Sequence, residues 1–298
     1  MTPDAKSDVA RFYDAEAAEY HRMYQRENLE TSERYPANYF RLQILVRRLA
    51  SIGAKRVYEV GVGEGSPLVA MAKLGLDVAG CDISQAMVNA ARSNFVAANL
   101  PQESIQWGDV EDATTIAGQL RGGRFDAVVA AGVLPHVRND RLMLENIKMC
   151  LKPGGTAFIE FRNKLFSLFT FNRLTKEFIL DDLLRSVSES VKKSVSAELD
   201  TRCAIDKPAL RTARPGAEIG YDEILAKFHN PFELEPLFKE AGFDSVDFHW
   251  YHYHPAMPMI EDEVGPEYRR AAMRLEHEAS WRGMFLCSAG VVEATLPL

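Results

Sequence analysis

From about Lys55 to Glu160 the chain repeats one pattern: a short apolar run, a glycine or acid, an amphipathic stretch, then another apolar run. The runs are RVYEV (56–60), LDVAGCD (76–82), SIQWGD (104–109), FDAVVAAGV (125–133) and TAFIEF (156–161). Between them stand SPLVAMAKLG (66–75), SQAMVNAARSNFVAANL (84–100) and RLMLENIKMCLKPGG (141–155). Near-continuous apolar runs suit strands covered on both faces, and each helix between them supplies the crossover that parallel pairing needs. The pattern predicts successive βαβ units, hence an α/β fold with a Rossmann-like, mostly parallel seven-stranded sheet and helices on both faces. Pro153-Gly154-Gly155 is expected to end the last of these helices, because proline cannot continue it and glycine tolerates positive φ.

Residues 3–50 read as two helices, ARFYDAEAAEYHRMY and, after Pro36, ANYFRLQILVRRLAS. Residues 163–228 break the alternation: LTKEFILDDLLRSVSESVKKSVSAEL reads as helical and IDKPALRTARPGAEIG as a loop. The alternation resumes with NPFELEPLFKEAGF (helix), SVDFHWYHYH (strand) and, after an acidic connection, GMFLCSAGVVEAT (strand). Strands on both sides of the break make it an insertion after the fifth strand of a single domain. Its parts are 1–50, an N-terminal helical lid; 51–161, a core; 162–228, a helical insertion; and 229–298, the rest of the sheet. A separate second domain is the alternative.

With 47% hydrophobic and 26% charged residues the chain has the composition of a globular protein. Its net charge of -7 repels polyanions, so a nucleic-acid partner would need a local basic patch. The N-terminus lacks an apolar signal core, and no apolar window of membrane-spanning length occurs. The four cysteines, Cys81, Cys150, Cys203 and Cys287, form no Cys/His cluster. These features point to a cytoplasmic compartment, no membrane partner and no metal site, with the chain a monomer or homodimer.

The segment from Val57 to Gly65, VYEVGVGEG, falls between the first strand and the first helix. Glycines there let the backbone approach a ligand without a Cβ clash, and the helix behind offers unpaired N–H groups to a carboxylate or phosphate. Asp82 ends the second strand, where an acid can accept from two ribose hydroxyls. A nicotinamide or flavin site is the competing reading of such a turn. Three details oppose it. The spacing is GxGxG rather than GxGxxG; Glu59 stands two residues before the first glycine, where it can meet an ammonium group; and Asp109 closes the third strand, where it can accept from an adenine amino group.

Glu59-Val-Gly-Val-Gly-Glu-Gly65, Gly80-Cys-Asp82-Ile-Ser84-Gln-Ala-Met87 with Ala91-Arg92, Gly108-Asp109, Phe125-Asp126 and Leu151-Lys-Pro-Gly-Gly155 together resemble the ordered motif set of class I S-adenosylmethionine-dependent methyltransferases. The resemblance covers about residues 40–161, more faintly the last 70, and is to small-molecule members. It implies S-adenosylmethionine as cofactor and S-adenosylhomocysteine as product. Glu59, Gly61 and Gly63 would hold the methionine moiety, Asp82 the ribose, and Asp109 with Val110 the adenine. Ile83 and Met87 would pack beside the adenine or serve as plain core. Ala131 and Gly132 would face the sulfonium or simply allow tight packing. Asp126 is read as structural. Tyr13 or Tyr20, on a helix resembling the lid of small-molecule members, could touch the methionine carboxylate, or be an ordinary face of an amphipathic helix.

Methyl transfer from a sulfonium is mainly a matter of alignment, which can supply roughly 7–11 kcal/mol. A base helps where the acceptor must lose a proton. The chain lacks the Asn/Asp-Pro-Pro-Tyr/Phe and Pro-Cys signatures of nucleobase methylation, leaving His136, His252 and His254 as candidate catalytic groups. His136 follows the fourth strand, with a turn cap as its alternative role. On an ideal strand His252 and His254 share one face with Trp250, while His249, Tyr251 and Tyr253 share the other. One face is expected to line the pocket mouth, which makes Tyr251 and Tyr253 substrate candidates; core or surface packing is the alternative. From Arg162 to Arg214 there are 11 Lys/Arg against 7 Asp/Glu. This is either a solvated helical face or an arginine-bearing cover for an anionic substrate, with Arg162, Arg173, Arg202, Arg211 and Arg214 as candidates.

The sequence therefore points to methyl transfer onto a hydroxyl or amine of a small polar metabolite, anionic or nucleotide-linked (sugar-type) molecules among them. The competing readings are an RNA methyltransferase, a nicotinamide-dependent oxidoreductase and a non-catalytic S-adenosylmethionine-binding regulator.

Overall fold

The computed structural model describes residues 8–13, 35–203, 224–278 and 280–298. Seven strands, β1 (Arg56–Val60), β2 (Asp77–Asp82), β3 (Ile105–Trp107), β4 (Phe125–Ala130), β5 (Leu151–Arg162), β6 (Ser245–Tyr253) and β7 (Cys287–Thr295), form one sheet in the order β3-β2-β1-β4-β5-β7-β6. The first five are parallel, and β7 runs antiparallel between β5 and β6. The order reverses between β1 and β4, and such a switch point opens a crevice at the carboxyl ends of the strands.

One face of the sheet carries α1 (Ala37–Ser51) over β6, and α2 (Ser66–Lys73) and α3 (Gln85–Ala97) over β2, which bury Leu42, Leu45, Leu49, Leu68, Met71, Val88 and Phe95 in one core. The other face carries α4 (Asp140–Cys150), which contributes Met143, Leu144 and Ile147 to the second core. The insertion supplies α5 (Glu189–Arg202), and beyond it α6 (Pro231–Glu240) adds Leu234 and Phe238 to the same core as α4. A further helix, α7 (Pro266–Leu275), lies in the β6–β7 connection. Asp126 is structural here: it accepts from the amides of Lys55 and Arg56 at 2.8 Å each and pairs with Lys152, tying the starts of β1, β4 and β5 together.

Several local expectations need correction. Helix α4 stops at Cys150, and Leu151 already pairs with Phe125 in β5. The β4–β5 register then jumps so that Ala127 faces Thr156, and the irregularity absorbs Pro153, which has no N–H to give a ladder, and Gly154 at φ +70°. Gly283–Leu286 is a turn of helix rather than the start of β7. Within the segment expected as a lid, Leu42, Leu45 and Leu49 pack α1 into the fold, and Arg48 anchors it through Glu293 at 2.6 and 2.8 Å. Glu293 also meets His249 at 2.7 Å; against the upward push of burial, these two partners hold its carboxyl down at about 2. In the insertion, a helix at Arg173–Glu177 runs into a π-helical turn at Phe178–Leu183, and α5 buries no side chain. The segment expected as a loop at 205–220 lies outside the described residues. Among the described residues no helix is long and apolar enough to cross a membrane.

Candidate cofactor and acceptor site

A cleft enclosing about 970 Å³, its mouth included, opens where β1, β2 and β4 end, and eleven of the twelve cofactor-site candidates border it. Tyr20, the twelfth, lies outside the described residues. The turn after β1 is pinned to β2 by Gly61 N and Val62 N, which both donate to Cys81 O at 2.8 and 3.1 Å. Gly61 has φ +71°, and a Cβ there would sit 2.4 Å from Val133 Cγ2, so only glycine lets this turn pass beneath the exit of β4.

Asp82 is set by backbone on both sides. Its Oδ2 accepts from Gly63 N at 2.9 Å and its Oδ1 from Ser84 N at 2.8 Å. The Ser84 hydroxyl in turn caps α3 by accepting from Met87 N at 3.0 Å. An ionised carboxylate offers about four acceptor positions, and these two bonds hold its orientation at the cleft. At the third strand, Gly108 N donates to Asp82 O at 3.0 Å, and Asp109 Oδ1 accepts from Glu111 N at 2.8 Å. Val110, Ile83 and Met87 form the apolar wall beside it; Met87 is 1% exposed, so it belongs to the core and the cleft at once. Ala131 and Gly132 close the opposite side.

Glu59 is the least ordinary group in the cleft. It is 1% exposed, and its Oε2 is buried with no hydrogen-bond partner among the described residues. Burial pushes its carboxyl up to about 8; Arg41 works against this, while Asp82 and Glu64 add to it. A nearby cation would favour its charged form and bring the pKa down.

Sequence reasoning missed Arg41. It occupies the helical stripe of Leu45 and Leu49, is 7% exposed, borders the cleft near Glu59, and donates to Glu160 Oε2 at 2.6 Å. Tyr251 donates to the other oxygen of Glu160 at 2.7 Å. The available signal was an arginine standing where the period of α1 calls for an apolar residue.

His136 borders the cleft beside the exit of β4. Its Nδ1 lies 2.5 Å from the carbonyl of Leu225, so that nitrogen carries the hydrogen and donates. Its Nε2 faces two donors, the Tyr13 hydroxyl at 3.0 Å and Arg162 Nη2 at 3.4 Å, and accepts from them. Burial and the nearby Arg162 cation lower its pKa to about 4 against the pull of the Leu225 carbonyl. The ring is neutral at physiological pH, with its lone pair turned toward Tyr13 and Arg162.

The β6 candidates do not border the cleft. Tyr251 is buried on Glu160, and Tyr253, also buried, donates to Glu278 O at 3.2 Å. His252 takes φ +63°, stacks on Tyr35 with centroids 5.0 Å apart, and contacts Ser288 Oγ through Nδ1 at 2.8 Å. His254 stacks on Phe166 at 4.6 Å and meets Tyr268 through Nδ1 at 3.2 Å. The physical reason is coverage: β6 is overlaid by the segments flanking α1 and α7, so its aromatic side chains are spent on packing. Of the insertion arginines, Arg173 and Arg202 form pairs with Glu177 and Glu198 one helical turn away. Among the described ones Arg162 reaches the site, through His136, and Arg211 and Arg214 lie outside the described residues.

A methyltransferase-domain family model matches residues 58–159, the stretch from β1 through β5 that builds this cleft. The chain is 30% identical over 188 residues to a protein of Aromatoleum aromaticum named ubiquinone biosynthesis O-methyltransferase, covering 62% of this chain and 73% of that protein. A Coxiella burnetii protein of the same name is 24% identical over 218 residues, 73% of this chain and 75% of its own. Among solved structures, magnesium protoporphyrin IX methyltransferase from Synechocystis PCC 6803, with S-adenosylhomocysteine bound, superimposes with a TM-score of 0.54 at 15% identity, over 98% of this chain and 99% of that one.

Proposed function

The chain belongs to the class I S-adenosylmethionine-dependent methyltransferases, and from that premise we propose that it methylates a hydroxyl group of a small polar metabolite at the His136 end of the cleft. The nicotinamide reading falls with the family assignment. S-adenosylmethionine supplies the electrophilic methyl group when bound. The residues present fit it. Glu59, whose buried Oε2 lacks a partner, would receive the α-ammonium group. Arg41, held by Glu160, would face the α-carboxylate. Gly61 and Gly63 leave room for the methionine chain, Asp82 would accept from the ribose hydroxyls, and Asp109 with Val110, Ile83 and Met87 would flank the adenine.

The observation that carries the acceptor end is the state of His136. Its fixed tautomer presents a bare nitrogen toward the cleft, able to accept the hydrogen of an incoming hydroxyl in place of Tyr13. A positioned proton acceptor is worth about 10²–10⁴-fold where its pKa lies near the working pH; with a pKa of about 4, His136 falls at the lower end. The name carried by the relatives, an O-methyltransferase, supports a hydroxyl over an amine. Arg162 beside His136 supports an acceptor bearing a carboxylate or phosphate near its reacting group. The test is incubation with methyl-labelled S-adenosylmethionine and a panel of hydroxylated acids, their neutral analogues and the matching amines, read by mass spectrometry. Label on the oxygen of an anionic member supports the reading, and label on amines alone overturns it.

A further inference from the structure

The stretch that returns from the insertion, residues 225–229, is fastened at alternate residues beside His136 and Arg162, the two groups that define the acceptor end. Lys227 N donates to Pro135 O at 2.7 Å, one residue before His136. His229 N donates to Arg162 O at 2.7 Å, and Lys164 N donates to His229 O at 2.9 Å, a single parallel bridge beside the end of β5. Between these attachments the carbonyl of Leu225 lies 2.5 Å from His136 Nδ1.

What holds the stretch in register is an ionic clasp at the first residue of α4. Asp140 takes the Lys227 ammonium on Oδ1 and His229 Nε2 on Oδ2, the latter at 3.2 Å. Burial pushes the Asp140 carboxyl up, but the two partners outweigh it and keep it ionised. Asn139, the cap of α4, accepts from Leu142 N at 3.1 Å and donates its own amide to Glu111 at 2.8 Å, so the clasp stands on a fixed helix end. None of Asp140, Lys227 and His229 borders the cofactor cleft.

We propose that Asp140, Lys227 and His229 are positioning residues: by clasping the 225–229 strap to α4 they hold the Leu225 carbonyl on His136 and so fix the ring in the tautomer whose Nε2 is free to accept a proton. The proposal deepens the acceptor reading and rests on it for its catalytic meaning, but the tautomer itself is a property of the protein alone. Without the strap, Nδ1 would lose its acceptor and the tautomer preference would rest on the donors at Nε2 alone. The groups facing the ring would then be Tyr13 and Arg162, with Glu160 acting through space. The insertion thereby reaches the chemistry through one backbone carbonyl, without placing a side chain in the cleft.

The test is nitrogen-15 NMR of the full chain labelled at histidine, with the His136 resonances assigned by their loss in His136→Gln. The wild-type spectrum is expected to show Nδ1 protonated and Nε2 bare. In Asp140→Asn and Lys227→Met the two nitrogens should move toward each other as the tautomers mix, and Asp140→Glu should restore the split. Affinity for S-adenosylhomocysteine by calorimetry should stay within about twofold in all three, because the clasp lies outside the cofactor cleft. His229→Gln, which keeps a donor toward Asp140, serves where a charge-removing variant does not fold, and its split should lie between wild type and Lys227→Met. A wild-type ring protonated on Nε2, or variant spectra in which the His136 nitrogens do not move, overturns the proposal. Failure to find a hydroxyl acceptor would instead overturn the proposed reaction and leave the tautomer result readable.

Discussion

Replacing Glu59 by glutamine should change how cofactor binding depends on pH. In the free protein the carboxyl titrates at about 8 because it is buried without a partner. Near pH 7 it is therefore about nine-tenths protonated. If the α-ammonium of the cofactor sits against it, the bound form must be the carboxylate, and each binding event releases close to one proton. Below pH 8 the free protein holds a proton that the complex lacks, so raising the pH favours binding. Between pH 6 and 8 the affinity for S-adenosylhomocysteine should rise by about 50-fold. Calorimetric titration in buffers of different ionisation enthalpy reads both the affinity and the proton count. In Glu59→Gln the pH slope and the released proton should vanish. At pH 8 the affinity should fall by at least about tenfold, from the roughly 1.5–3 kcal/mol carried by a hydrogen bond to a charged group. A wild-type affinity flat from pH 6 to 8, or a slope that survives in Glu59→Gln, would refute the reasoning.

Other outcomes follow from the same geometry. The raised Glu59 pKa lowers the stability of the free protein progressively as pH climbs from 4.5 toward 8. Glu59→Gln should therefore unfold at higher temperature than wild type near pH 8, by more than about 2 kcal/mol at roughly 1.4 kcal/mol per pKa unit, and show no such gain at pH 4. Gly61→Ala should lose stability by about 1–2 kcal/mol for its left-handed backbone, with a further cost from the contact at Val133, and should bind cofactor weakly by calorimetry. His136→Ala should lower kcat by about 10²-fold or more while leaving cofactor affinity within twofold. Because the wild-type ring is neutral down to about pH 4, its protonation should contribute no loss of kcat between pH 6 and 8. Arg41→Met should destabilise the fold by roughly 3–5 kcal/mol, since Glu160 is left charged and buried, and thermal melts of the single variant and of Arg41→Met with Glu160→Gln should show the second change recovering part of the loss.

The parallel half of the fold was legible because period and punctuation agreed there: Glu59 stands one residue before the end of β1, Asp82 ends β2, and Asp109 follows β3 by two residues rather than closing it, and all three border the cleft. The limits of that legibility are equally local. Leu151–Gly155 looked like a helix stop because proline and glycine end helices and also fill β-bulges, and only the pairing of Leu151 with Phe125 decides between them. The β6 aromatics suggested a pocket wall because alternation gives two faces without saying what covers them; Tyr251 meets Glu160 and His252 meets Tyr35, contacts made across long separations in the chain. Arg41 was invisible for the same reason, since its meaning depends on Glu160 lying 119 residues away. His136 was placed correctly after β4, but its tautomer is decided by a carbonyl 89 residues further on.

The most direct measurement is a crystal structure with S-adenosylhomocysteine soaked or co-crystallised. The amino group should lie within hydrogen-bond distance of Glu59 Oε2, both ribose hydroxyls on Asp82, and the adenine between Met87 and Val110 with its amino group toward Asp109. A nucleoside bound elsewhere, or these three carboxylates turned away from it, would contradict the assignment of the cleft.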